Sequence, residues 1–85
     1  MSRLQLLELG RQQCAALKAQ YPGVQAIESV GIQIEYLIGL ETGALSDRSR
    51  LKDIIIGVLT AREIEPLDGE ASETFYKIAS EAKLM

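Results

Sequence analysis

Apolar residues in this chain recur every three or four positions, and three short breaks interrupt the pattern: Tyr21-Pro22-Gly23, residues 41–47 with Gly43 and Ser46, and residues 65–69 with Pro66 and Gly69. Proline removes a backbone donor and glycine relaxes the chain, so each break ends a helix. No stretch alternates with period two, and the intervening residues are mostly helix formers or neutral. The pattern predicts an all-α fold, a compact antiparallel bundle of about four helices in a single domain over residues 1–85. Helix one, over 2–20, turns Leu4, Leu7, Cys14, Leu17 and Tyr21 to one face. Helix two, over 24–42, does the same with Ile27, Val30, Ile34, Leu37 and Ile38. Helix three, over 47–63, is expected to bury Leu51, Ile54, Ile55, Val58 and Leu59, with Ser46 or Asp47 as its cap. Helix four, over 68–84, starts at Asp68 and turns Ala71, Phe75, Ile78, Ala79 and Ala82 inward.

Helix two carries more apolar surface than one face explains. At about 100° per residue its core set spans an arc of about 100°, whereas Ile32, Tyr36 and Leu40 fall on the far side, at about 140°, 180° and 220° from Ile27. Two readings follow: a central helix covered by neighbours on both sides, or an outward contact strip with Tyr36 at its centre. Between the two faces Glu28 and Glu35 form a narrow acidic line. Paired carboxylates can serve as acid and base, but no nucleophile, metal partner or phosphate loop lies near them in sequence, and solvated side chains are the simpler reading.

Composition removes most chemistry. The 85 residues contain no His and one Cys, which excludes His-based acid–base catalysis, nucleophile–His triads and His/Cys zinc sites. No metal and no cofactor is expected. Cys14 lies on the apolar face of helix one and reads as a small buried hydrophobe without a disulfide partner. The net charge of −3, with no Trp and one Phe, disfavours nucleic acid as a partner. The longest apolar run, residues 54–59, is far short of the ~20 residues that span a bilayer. The start of the chain is too short in apolar residues for a signal peptide, so the expectation is a cytoplasmic protein without a membrane partner.

The charge is unevenly placed. Residues 1–62 hold seven basic and six acidic side chains, whereas residues 63–85 hold two and six. Glu63, Glu65, Asp68, Glu70 and Glu73 follow one another with no basic residue between them. Acids near a helix start suit its dipole, and an acidic patch also speeds docking onto a basic protein surface. The apolar share of 47% is hard to conceal completely in so small a domain, which leaves surface for a partner protein or for a second copy of the chain. Gly57 inside helix three suggests a close helix crossing.

Taken in order, Tyr21-Pro22-Gly23, Ser29, Gln33, Tyr36, Asp47-Arg48-Ser49, Leu51, Gly57 and Glu63 resemble the small immunity proteins that neutralise NAD(P)-hydrolysing toxins of bacterial type VI secretion systems. The resemblance runs from about Leu7 to Ala82. It implies an all-helical cytoplasmic protein with no enzymatic activity, which binds the ADP-ribosyltransferase-like toxin domain of a cognate effector and blocks its NAD-binding cleft. Tyr21, Pro22, Gly23 and Gly57 read more simply as structural. Charge and periodicity single out Glu28, Ile32, Glu35, Tyr36, Glu63, Glu65, Asp68 and Glu70 as candidate partner contacts. The alternative is a helical adaptor that homodimerises through Ile32, Tyr36 and Leu40 and has no toxin partner.

Overall fold

Ser2 begins the first helix with a reciprocal capping box: its hydroxyl accepts from the Gln5 amide at 3.1 Å, and the Gln5 side-chain oxygen accepts from the Ser2 amide at 2.8 Å. In this computed structural model, which describes residues 1–85, α1 (Arg3–Gln20) is followed after a four-residue turn by α2 (Gln25–Thr42). The helices end where the chain needs left-handed backbone. Gly23 in the first turn has φ +93°, and Gly43 closes α2 with φ +83°.

The two long helices are antiparallel. Lys18 stands opposite Glu28, Arg11 opposite Glu35 and Arg3 opposite Glu41, so numbers fall along α1 as they rise along α2. The last helix, α4 (Gly69–Ala82), also runs antiparallel to α1, with Ile78 against Gly10 and Glu81 against Arg3. Arg3 thereby ties three helix ends, donating to Glu81 at 2.9 Å and to Glu41 at 3.3 Å. The core between them holds Leu7, Ile27, Ile34, Leu37, Phe75 and Ile78, all at 1% exposure or less. No helix is long and apolar enough to cross a membrane.

Helices one, two and four of the sequence reading are present within a few residues of their expected bounds. Helix three is not. Its expected first half is an exposed connection with a single 3-10 turn at Leu51–Asp53, and α3 proper is one turn, Ile56–Leu59, widened into a π-helical turn at Thr60–Ile64. The buried face also differs: Ile56, Thr60 and Ile64 face the core, whereas Ile55 and Val58 are exposed and Leu51, Ile54 and Leu59 only half-buried.

Competing donors and acceptors explain the difference. The Asp47 carbonyl, which a helix starting there would offer to the Leu51 amide, accepts from the Tyr36 hydroxyl of α2 at 2.7 Å, and the Ile55 amide, which would pair with the Leu51 carbonyl, donates instead to Gln33 of α2 at 2.8 Å. Groups that a continuous helix would pair internally are thus held elsewhere. At the other end Pro66 has no amide to offer Arg62 and its ring crowds that carbonyl. The Glu65 amide reaches instead to Thr60, five residues back, at 2.8 Å. Gly57 faces the Ala79 methyl, but a β-carbon there would sit at 3.5 Å, an ordinary contact, so the crossing does not require glycine.

Asp68 caps α4 as its sequence position suggests, accepting from the Ala71 amide at 3.0 Å. Asp68→Ala is expected to cost about 1 kcal/mol and to lower the melting temperature by about 4–8 °C, with Asp68→Asn close to wild type. Thermal melts of both variants check this; equal losses in the two would show that the cap is not what stabilises the helix start.

Candidate functional site

Four surfaces hold the residues that the sequence singles out. The first is the groove between α1 and α2, of about 240 Å³, floored by Cys14 and Gly31 and flanked by Arg11, Lys18, Glu28 and Glu35. Here the acidic line acquires a basic counterpart. Arg11 and Lys18 sit one heptad apart on α1, and their side chains stand 3.6 Å from Glu35 and 4.0 Å from Glu28. All four are well exposed, so the pairs are worth little in stability and their charges largely cancel at longer range. Cys14 lies beneath them, its thiol donating to the Ile27 carbonyl at 3.1 Å, and burial pushes its pKa up. A thiol in that position is poorly reactive.

The second surface is a clasp that joins the 43–55 segment to α2. The Tyr36 hydroxyl donates to the Asp47 carbonyl at 2.7 Å and accepts from the Arg50 amide at 3.3 Å. The Arg50 guanidinium lies over the Tyr36 ring, 4.8 Å from its centroid. One turn earlier Gln33 accepts from the Ile55 amide while its own amide donates to Ser29 at 3.1 Å. Arg48 reaches across to the Met85 carbonyl. Gln33, Tyr36, Asp47, Ser49 and Arg50 thus work as one unit, which joins the Gln33-x-x-Tyr36 and Asp47-Arg48-Ser49 pieces of the sequence in space. The Ser49 amide holds the Asp47 carboxyl below the usual carboxylate range, so this turn keeps its charge in mildly acidic solution.

The clasp corrects one expectation. Tyr36 is 7% exposed, covered by the segment it binds, so Ile32, Tyr36 and Leu40 do not form an outward strip. Ile32 remains exposed and Leu40 is half-buried. The covered-helix reading of α2 is the better one at Tyr36, and the cover comes from irregular chain rather than from another helix. Tyr36→Phe keeps the ring and removes both hydroxyl bonds. It should cost about 1–2 kcal/mol and raise hydrogen exchange at the Arg50 amide well above that of the α2 amides; unchanged exchange at Arg50 would show that the clasp does not hold the segment.

The third surface is the acidic bend after α3. Glu63, Glu65 and Glu70 are exposed, and Asp68 is half-buried in its capping role. Glu65 accepts from the Tyr76 hydroxyl, and that bond pushes the Tyr76 pKa up. Glu63 and Glu70 make no ion pair or side-chain hydrogen bond, which leaves them as the free carboxylates of the bend.

The fourth surface is one that the sequence reading placed in the core. Ile55 and Val58 are 47% and 53% exposed and line a groove of about 300 Å³ between α3 and the end of α4, with Ile54, Ala79 and Lys83. Its signal in the sequence was the unbroken apolar run of residues 54–59, too dense for a one-sided helix. Nowhere on the chain do three metal-binding side chains converge.

The sequence profile of the Tsi6 family matches residues 3–83. Among solved structures, that of Tsi6 from Pseudomonas aeruginosa superposes with a TM-score of 0.88 at 21% identity, covering 96% of this chain and 95% of that one. A structure of Tse6 in complex with Tsi6 matches with a TM-score of 0.86 at 22% identity, over 93% of this chain and 84% of the other. These identities establish a common fold. No curated protein matches the chain.

Proposed function

The chain belongs to the Tsi6 family, and from that membership we propose that it is an immunity protein of the cytoplasm, which binds the toxin domain of a cognate type VI secretion effector and blocks its NAD(P)-hydrolysing cleft. The observation that carries this reading is the family match over nearly the whole chain, joined to the likeness with a Tsi6 structure solved in complex with Tse6. The residue inventory supports it: without His, a reactive thiol or a cluster of metal-binding groups, the chain is suited to stopping chemistry rather than to performing it.

The acidic bend serves this function by steering. Glu63, Glu65 and Glu70 project into solvent, and a cleft built to receive a dinucleotide carries basic groups for its phosphates. Carboxylates approaching such a cleft compete for the same charges and raise the association rate. The Glu28 and Glu35 line contributes less at a distance, because Lys18 and Arg11 offset it.

The test is protection. The toxin domain of the effector encoded beside this gene should arrest growth and deplete NAD(P) when expressed alone, and co-expression of this chain should restore both. Absence of a toxic neighbour, or toxicity undiminished by a well-expressed chain, would sink the reading. Exchanging Glu63 and Glu65 for Lys should slow association at low salt by about tenfold and leave dissociation nearly unchanged.

A further inference from the structure

Residues 44–55 cross the molecule with little hold on it through their own backbone. None of them is fully buried, and only Leu51 and Ile54 are half-buried. Their main-chain hydrogen bonds are local: the Leu51, Asp53 and Ile54 amides donate to Arg48, Arg50 and Leu51, each three residues back. The Leu45 amide still reaches Gly39 of α2 at 3.0 Å. From Ser46 to the Ile55 amide, every hydrogen bond to the rest of the fold passes through a side chain.

Two side chains of α2, one turn apart, supply most of that attachment. Tyr36 binds the Asp47 carbonyl at 2.7 Å and the Arg50 amide at 3.3 Å, and Gln33 binds the Ile55 amide at 2.8 Å. Arg48 adds a contact with the Met85 carbonyl, beyond the end of α4. The two ends of the stretch have the backbone of hinges. Gly43 is left-handed at φ +83°, and Ile55, at φ −127° and ψ 29°, opens α3 without a side-chain cap. Loop and element-terminal positions of this kind absorb the dihedral changes of hinge motions. Every fully buried core residue lies outside the stretch.

We propose that residues 44–55 form a latched strap, which opens from α2 as one unit on hinges at Gly43 and Ile55 while the helical core stays folded, with Tyr36 and Gln33 as its two latches. Closed, the strap covers Tyr36 to 7% exposure, between exposed Ile32 and half-buried Leu40. Open, it bares the Tyr36 ring and joins Ile32, Tyr36 and Leu40 into one apolar strip along α2. The outward strip that helical periodicity alone would place there is therefore a property of the open state, and the strap is its built-in cover.

Coupling between the latches follows from the chain that joins them. Arg50 and Ile55 are separated by the 3-10 turn at Leu51–Asp53, whose amides and carbonyls pair within the turn and with Arg50 and Ile54. A short stretch bonded in this way transmits release of one end to the other. Opening also exposes little apolar surface, because the strap buries little, and a small exposed area gives a weak dependence on denaturant.

The experiment is native-state hydrogen exchange by NMR on the full chain alone, in water and in low urea, so its failure leaves the immunity reading untouched. In wild type the Arg50, Leu51, Asp53, Ile54 and Ile55 amides should share one opening that is nearly independent of urea, whereas the Ile34 and Phe75 amides should exchange more slowly and with the steep urea dependence of global unfolding. Each latch variant is read at the latch it leaves intact. Tyr36→Phe is expected to speed exchange at Ile55 about five- to tenfold, and Gln33→Met to do the same at Arg50. Gln33→Glu, which keeps an acceptor for the Ile55 amide, should stay near wild type at both. A response confined to Ile55 in Gln33→Met, or to Arg50 in Tyr36→Phe, means that residues fray one at a time and overturns the strap. Strap amides with the urea dependence of Ile34 and Phe75 overturn it as well, since nothing then opens short of the whole domain. Strap amides without protection in wild type overturn the closed latch itself.

Discussion

Replacing Phe75 by Ala is expected to remove about 3–5 kcal/mol of stability, the largest loss from any single truncation in this chain. Phe75 has no exposed surface and belongs to the one contiguous core. Its helix has little else to hold it. Of the buried residues of α4, Ala71, Ser72, Thr74 and Ala82 are small, and only Ile78 offers comparable bulk. At roughly 0.05–0.15 kcal/mol per residue, a domain of 85 residues has about 4–13 kcal/mol in total, so the substitution consumes a large fraction of it. Urea unfolding should show a much lower midpoint with nearly the same slope, and Phe75→Leu should recover more than half of the loss. A midpoint for Phe75→Ala near that of wild type would mean that α4 is held by something other than this ring.

The second large effect is expected at Gly10, where bulk is added rather than removed. Gly10 lies on the buried face of α1 between Leu7 and Cys14, and a β-carbon placed there would overlap the Ile78 δ-methyl and stand 3.3 Å from that of Ile34. Both isoleucines are fully buried. In Gly10→Ala a single methyl meets the far ends of two side chains, and the gain of about 1 kcal/mol in helix propensity offsets part of the strain. Gly10→Val adds two more carbons that Ile78 cannot escape, at a cost of about 3 kcal/mol or more. The contact also makes a sharper test. If Ile78 is the obstacle, Gly10→Val combined with Ile78→Ala is far more stable than the two separate losses would sum to. Additive losses in that cycle would mean that valine is rejected for another reason.

These two positions were not equally legible. Phe75 stands on the inward face of helix four by simple periodicity, with Ala71, Ile78 and Ala82 beside it. Gly10 carries no such mark, because glycine in a helix reads as a local weakness until the facing side chains are known. The same division runs through the candidate contacts. Asp68 is a cap in sequence and in structure, since the acceptor and the orphan amide are three residues apart. Glu35 and Glu28 look like a free acidic line until α1 lays Arg11 and Lys18 alongside them.

By itself, then, the sequence determined the all-helical class, the three long helices with their breaks and the Asp68 cap of α4, and the core faces of α1, α2 and α4, because periodicity, capping and proline or glycine breaks act within a few residues. It also carried enough of the Gln33, Tyr36 and Asp47-Arg48-Ser49 pattern to point to the family. Only the tertiary structure decided the course of residues 43–64. There Gln33 and Tyr36 on α2 capture groups that belong to the Asp47–Ile55 stretch, 11 to 22 positions further on, and the helix that local preference would have begun at Asp47 starts instead at Ile56. That long-range capture buries Tyr36, shifts the inward face of α3 to Ile56, Thr60 and Ile64, and leaves Ile55 and Val58 facing water.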